Sequence, residues 1–186
     1  MILKTTSMDL KAHALSSLKL SRRLTTSLLA DFNTLYDWFY QPHENANHAL
    51  WIVGHLGLAD NAFISKFRPK LGDHREGWQE LFWFGSQPVT NPKKYPPIDE
   101  ILDYFDNRRQ VLLQVLEQLD IDELLAPAPP EDSQSPLAGA PNIGHVFFFV
   151  AYHEGMHSGQ LSVVRRGLGH SPLYQPNRPR NDNADA

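Results

Sequence analysis

The chain has 186 residues, 41% of them hydrophobic and 20% charged, which is the composition of one domain able to bury a sizeable core. A net charge of -4 offers no basic surface for nucleic acid, and the lack of any cysteine excludes disulfides, thiolate catalysis and Cys-ligated zinc, so a metal would have to be held by His, Asp or Glu. The N-terminal segment lacks the apolar stretch of a secretory signal, and the longest apolar run, Val146 to Tyr152, is too short to span a bilayer, so the expectation is a cytoplasmic protein with neither membrane nor nucleic acid as partner.

In chain order, Leu10, Ala14, Leu18, Leu24, Leu28 and Phe32 recur at helical spacing and predict a long amphipathic helix from Ser7 to about Phe32. Lys11, Lys19, Arg22 and Arg23 fall largely off its apolar face. Gln41, Pro42 and the Asn45/Asn47 pair predict a turn and an N-cap. A second helix follows over His48 to Phe67, with Trp51, Ile52, Leu58, Ala59 and Ala62 on one face. Gly54 and Gly57 are poor helix formers within it and point to close packing. Arg68 to Pro97, rich in Pro, Gly and polar residues, reads as a long crossover with a short helical turn around Trp78, Leu81, Phe82 and Trp83.

Pro96 and Pro97 then suit the start of a third helix, whose stripe of Ile101, Tyr104, Phe105, Leu112, Val115, Leu116 and Leu119 runs to about Leu119. After a second Pro-rich loop, Pro127 to Pro141, Asn142 caps a fourth helix that reaches Leu168, where Gly167 and Gly169 supply the stop. Strand signals are scarce. Four such helices, each on the order of 30 Å long, predict an all-α fold, a four-helix bundle over residues 1–170, with a polar, loosely ordered tail at 171–186. The crossover between the second and third helices is long enough to return along the bundle, which allows those two to run parallel.

The fourth helix carries His153-Glu154-Gly155-Met156-His157, two histidines at i and i+4, about 40° apart on one helical face and one turn apart in height. Val146, Phe149, Val150, Gln160 and Val164 share that face, so the pair looks into the bundle. His55, at mid-length on the apolar face of the second helix, is directed inward as well. The literal string is also H-E-x-x-H, the zincin protease motif. That reading needs a third ligand downstream, yet no Glu follows Glu154, and the extended form would place its Gly and third His at Gln160 and Val163. The better arrangement uses His55, His153 and His157 as three nitrogen ligands with a position left open, which suits zinc first, then nickel or iron(II). The competing reading keeps the three as hydrogen-bonded core histidines without metal.

The segment Asn47-His-Ala-Leu-Trp-Ile-Val-Gly-His-Leu together with Tyr152-His-Glu-Gly-Met-His-Ser-Gly-Gln-Leu resembles the DinB/YfiT superfamily of metal-dependent bundle proteins. The family's mid-helix His and its His-x-x-x-His-x-Gly-Gln match His55, His153 and His157 one by one, and the likeness extends over most of the chain to about Gly169. The resemblance implies an up-down-down-up bundle, a divalent metal ion and often a homodimer. It does not imply a single activity: relatives include thiol S-transferases that use low-molecular-weight thiols, an isomerase and the metal-binding domain of iron enzymes.

Other candidates are weighed around that centre. Glu154, about 100° around the helix from His153, is either a base at the margin of the metal face or a charged residue at a bundle seam. Gln160, one turn beyond His157, is placed to orient a ligand imidazole. His48 lies roughly 10 Å along the helix axis from His55 and reads as a polar residue of the first turn or a group at the cavity mouth. His145, about 80° off the face of His153, reads as a flanking residue or one that supports a ligand from behind, and His13, His43, His74 and His170 read as surface residues. Arg108, on the apolar stripe of the third helix, either snorkels to solvent or pairs with an anionic substrate. Trp51 and Tyr152 read as packing, and the Phe147-Phe148-Phe149 run as apolar surface covered by the long loop or a second copy. The expectation is therefore a metal-dependent enzyme acting on a small-molecule substrate, of thiol S-transferase or hydrolase type, with a non-catalytic metal- or ligand-binding bundle as the alternative.

Overall fold

The computed structural model describes residues 3–131, 135 and 137–174. Seven α-helices and no strand occur among the described residues: α1 (Leu3–Leu29), α2 (Leu35–Phe39), α3 (Ala49–Phe67), α4 (Trp78–Phe82), α5 (Ile98–Gln118), α6 (Ile121–Leu125) and α7 (Ile143–Gly167). The protein is thus all-α, and α1, α3, α5 and α7 are its long members. The expected tail lies outside the described residues beyond Tyr174.

Residue pairs between helices fix how they run. Ser21 meets Glu154, Thr25 meets Ser158 and Leu28 meets Arg165, so α1 and α7 advance in the same direction. Gly57 lies against Phe105 and Asp60 meets Arg109, so α3 and α5 are also codirectional. Asn47 reaches Gln160 while Phe63 reaches Phe149, which makes α3 and α7 antiparallel. The most extensive packing is of α1 on α7 and of α3 on α5.

The local chemistry of the chain explains most boundaries. Asn142 accepts the His145 N–H at 2.9 Å and caps α7, whose other end closes on Gly169, in the left-handed region at φ 87°, with the His170 N–H returning to the Arg165 carbonyl at 3.2 Å. The N-cap of α3 is His48 itself, not the preceding asparagines: its Nδ1 accepts the Trp51 N–H at 3.1 Å. Two short helices escape the periodicity reading because five residues are too few to show a period, but each carries a reciprocal capping box, Thr34 with Asp37 and Asp120 with Glu123. Gly54 and Gly57 are packing glycines, as expected: a Cβ would lie 2.4 Å from the Phe82 ring at Gly54 and 2.9 Å from Tyr104 at Gly57.

The core is divided into two apolar clusters by a charged layer. One cluster holds Leu28, Leu56, Leu58, Phe105 and Leu161, and the other Leu18, Ile64, Leu112, Phe147 and Val150. Each long helix passes from one to the other through a buried polar residue: Arg22 on α1, Asp60 on α3, Arg109 on α5 and Glu154 on α7. Arg109 bonds both carboxylate oxygens of Asp60, at 2.8 and 3.0 Å, and lies 2.7 Å from Glu154. Arg22 completes the ring with Asp60 at 3.0 Å and Glu154 at 2.9 Å. Two cations and two anions leave the layer neutral, which is how four ionised groups are tolerated in an apolar interior. Burial opposes the charge on Arg109, but Asp60 and Glu154 more than offset it and raise its pKa. The expectation that Arg22 lies off the apolar face is therefore corrected: it is turned inward because its partners are there.

Candidate metal centre

The buried stretch of α3 from Ala49 to Asp60 delivers His55 to the interface with α7, where His153 and His157 face it from successive turns. The Nε2 atom of His153 lies 3.2 Å from Nε2 of His55 and 3.2 Å from Nε2 of His157. His55 and His157 are buried and His153 is partly exposed, so the set opens on the His153 side.

The outer nitrogens determine the tautomers. His55 Nδ1 sits 2.9 Å from the Phe82 carbonyl, which only accepts, so Nδ1 carries the proton and Nε2 keeps a lone pair. His157 Nδ1 donates in the same way to Gln160 Oε1 at 2.9 Å, leaving its Nε2 bare as well. His153 Nε2 makes both 3.2 Å contacts and can offer at most one proton, to one of these two lone pairs, which leaves the other without a donor. Convergent acceptors of that kind want a cation. Three nitrogens about 2.0–2.1 Å from a tetrahedral ion would be spaced roughly 3.3 Å apart, close to the separations found, so the donor set fits a divalent ion with one position open. Burial, reinforced by the neighbouring imidazoles, lowers the pKa of each of the three to about 4, which keeps them in the neutral form that ligates metal.

Aromatic rings wall the centre. Trp51 stacks on His55 at 4.8 Å with the planes 9° apart, Trp83 lies 6.3 Å from His55, and Phe149 stacks on His153 at 5.9 Å. Trp51 is therefore both packing and a wall of the site, whereas Tyr152 is 64% exposed and is not the packing residue expected. The crossover supplies the lid side of the cluster through the Phe82 carbonyl and Trp83.

Of the remaining candidates, Gln160 is brought to the centre and Glu154 is not. Gln160 is exposed on the helix surface, yet its Oε1 holds His157 and also accepts from Asn47 Nδ2 at 3.3 Å, tying the start of α3 to α7. Glu154 is fully buried on the other side of α7 and spends its carboxylate on Arg22, Arg109 and Ser21. The reading of Glu154 as a base at the metal face is corrected on that ground: one residue of helix turns it toward α1 and α5. His48 is 0% exposed, with Nε2 shared between the Val89 carbonyl and the Tyr95 hydroxyl, so it anchors the crossover and does not line a mouth. His145 is exposed on the first turn of α7. Arg108 neither snorkels nor awaits an anion: it is buried and donates to the Leu71 carbonyl at 3.0 Å and to Asn61. His13, His43 and His74 are exposed, but His170 is half-buried and stacks on Phe32 at 6.0 Å. The residues that spacing alone missed are Asp60, Arg109 and the Phe82 carbonyl; a charged residue on an otherwise apolar stripe is the signal that marks the first two.

A family model described as the DinB superfamily matches residues 17–161 of the chain. That span holds all three histidines and Gln160 and ends at Leu161, before the last turns of α7. No curated protein matches the chain.

Proposed function

The chain belongs to the DinB superfamily, and from that membership and the three convergent imidazoles we propose that it is a metal-dependent enzyme acting on a small molecule, a thiol S-transferase or a hydrolase. His55, His153 and His157 would hold the ion, with zinc placed first and nickel or iron(II) after it. The observation that carries the reading is the meeting of three imidazoles, with the Nε2 atoms of His55 and His157 each 3.2 Å from that of His153 and their lone pairs fixed inward. A divalent ion so held would supply Lewis acidity, lowering the pKa of a thiol or water that reaches its open position.

The chain's own part is orientation and exclusion. The Phe82 carbonyl and Gln160 hold the Nδ1 protons, so His55 and His157 arrive with the correct tautomer and ring plane. Trp51 shields the inner side of the cluster at 5% exposure, and the partly exposed His153 leaves the approach on its own side. With no cysteine in the chain, a transferred thiol would have to enter as a cosubstrate.

The test is elemental analysis of untagged protein prepared without metal-affinity resin, beside the His55→Ala and His153→Ala variants. About one equivalent of metal in the parent, lost from both variants, is the expected result for a three-ligand site. Thiol-transfer and ester- or amide-hydrolysis substrates are then screened with that ion. Metal that stays bound stoichiometrically in His153→Ala would overturn the ligand set, and a parent that remains metal-free after reconstitution with each candidate ion would overturn the enzyme reading.

A further inference from the structure

We propose that the open side of the three-histidine centre accepts the neutral, flat apolar portion of a substrate, an aromatic group next to the reacting thiol or carbonyl, and discriminates against charged small molecules. The inference rests on the metal reading above and adds the substrate class.

The first observation is the set of rings at the approach. Trp83 packs against His55 at 6.3 Å and Phe149 stacks on His153 at 5.9 Å, so each half-buried ring flanks a different member of the His55–His153 pair. Tyr152 extends the second wall, 6.5 Å from Phe149 and 64% exposed. Phe84, the residue after Trp83, is 87% exposed. Large apolar side chains left in water beside a polar cluster are what a ligand would cover, and aromatic partners stack or meet edge to face at these separations.

The second observation is that the segment presenting Trp83 and Phe84 is held in place. The Ser86 N–H closes a turn on the Trp83 carbonyl at 3.0 Å, with Gly85 in the left-handed region at φ 87°. Ser86 Oγ accepts from Trp51 Nε1 at 2.8 Å and donates to the Leu81 carbonyl at 3.0 Å, while the Phe82 carbonyl holds His55. Two residues of α3 therefore clamp the turn, so the backbone that presents Trp83 and Phe84 is preorganised, which lowers the ordering cost of binding.

The third observation is electrostatic. Across residues 49–59 of α3, residues 83–92 of the crossover and residues 143–164 of α7, the single Asp, Glu, Lys or Arg is Glu154, and it is fully buried in ion pairs. Apart from the bound ion, whose open position is taken by the reacting thiol or carbonyl, these segments offer a charged substrate group no counterion for the water it sheds, whereas a neutral ring would gain contact on both walls.

The experiment loads the full chain with cobalt(II), follows its visible absorption, and titrates in phenylmethanethiol and, separately, 2-sulfanylethanesulfonate, a small thiol bearing a fixed negative charge. The expected result is a preference of roughly tenfold or more for the aromatic thiol, the scale of one well-made aromatic contact plus burial. Tyr152→Ser should reduce that preference at unchanged cobalt stoichiometry, its exposure keeping it clear of folding effects, and Phe149→Ala, which removes the ring stacked on His153, should reduce it further. Equal affinity for the two thiols, or a preference that survives both substitutions, overturns the proposal and leaves the metal reading standing. A parent that shows no cobalt spectrum overturns the metal reading, and the proposal with it.

Discussion

Glu154 Oε1 accepts a hydrogen bond from Arg22 Nε at 2.9 Å, across the bundle from the next-door residue His153, whose own ring faces α3. One helix turn thus serves two layers, a closed ion-pair ring and an open imidazole cluster. Removing the carboxylate would strand Arg22 and Arg109 with one anion between them in an apolar interior. Glu154→Ala is expected to lower stability by about 3–5 kcal/mol, the usual result of breaking a buried pair from one side. Denaturant unfolding of the metal-free protein measures this. The folded fraction should still bind one metal ion; a variant that kept its stability and lost only turnover would return Glu154 to the chemistry.

Gln160 tests the opposite case, a residue that matters for the ion and little for the fold. It is exposed, and its main bond is the one to His157 Nδ1. Gln160→Ala should weaken metal affinity by about 10- to 100-fold through the loosened imidazole. The thermal midpoint of the metal-free protein should hardly move. Competition against a chromophoric chelator reads the first quantity, and a melting curve the second.

The four long helices and the three-histidine set are legible in the sequence because both depend on i, i+3, i+4 periodicity, which places Leu18 with Arg22's helix in the core and His153 with His157 on one face. Periodicity alone does not locate Glu154: it lies about 100° from His153, and only the positions of α1 and α5 decide that this angle leads into a buried layer. The same holds for Arg22, whose inward turn follows from the carboxylates of Asp60 and Glu154, residues remote in sequence. Backbone donors and acceptors are the least legible of all. Nothing in the identity of Phe82 announces that its carbonyl, delivered by a five-residue helix in the crossover, orients a histidine on α3.

His48 gives the protein a titratable joint between crossover and bundle. Burial lowers its pKa from 6.5 to about 4 against the opposing bond from Nε2–H to the Val89 carbonyl, and the neutral ring keeps a lone pair on Nδ1 for the Trp51 N–H. The unfolded chain binds the proton more readily, so this contribution to stability is complete above pH 6.5 and is lost as pH falls from there toward about 4. The shift corresponds to roughly 3 kcal/mol over the window. In His48→Asn the amide oxygen keeps the cap but carries no such titration. Metal-free parent should exceed the variant in stability at pH 7, and the gap should narrow by about 2 kcal/mol on going to pH 4.5; unfolding curves at the two pH values check it, with the other histidines common to both proteins.

The closest approach in the interior links packing to the metal. A Cβ at Gly54 would stand 2.4 Å from Cδ1 of Phe82, a ring that is 0% exposed and has nowhere to retreat. Gly54→Ala should therefore push α4 away from α3, costing about 1–3 kcal/mol from overpacking. Because the Phe82 carbonyl carries the bond to His55 Nδ1, the same displacement should slacken the ligand and weaken metal binding in step with stability. Gly159→Ala is the control: no atom lies within 4 Å of its Cβ position on the exposed side of α7, so the better helix former should stabilise by up to about 1 kcal/mol and leave metal affinity unchanged. Parallel unfolding curves and metal titrations on the two variants decide the matter. If Gly54→Ala loses stability but binds metal as the parent does, the clamp from α4 to His55 is not what orients the ligand.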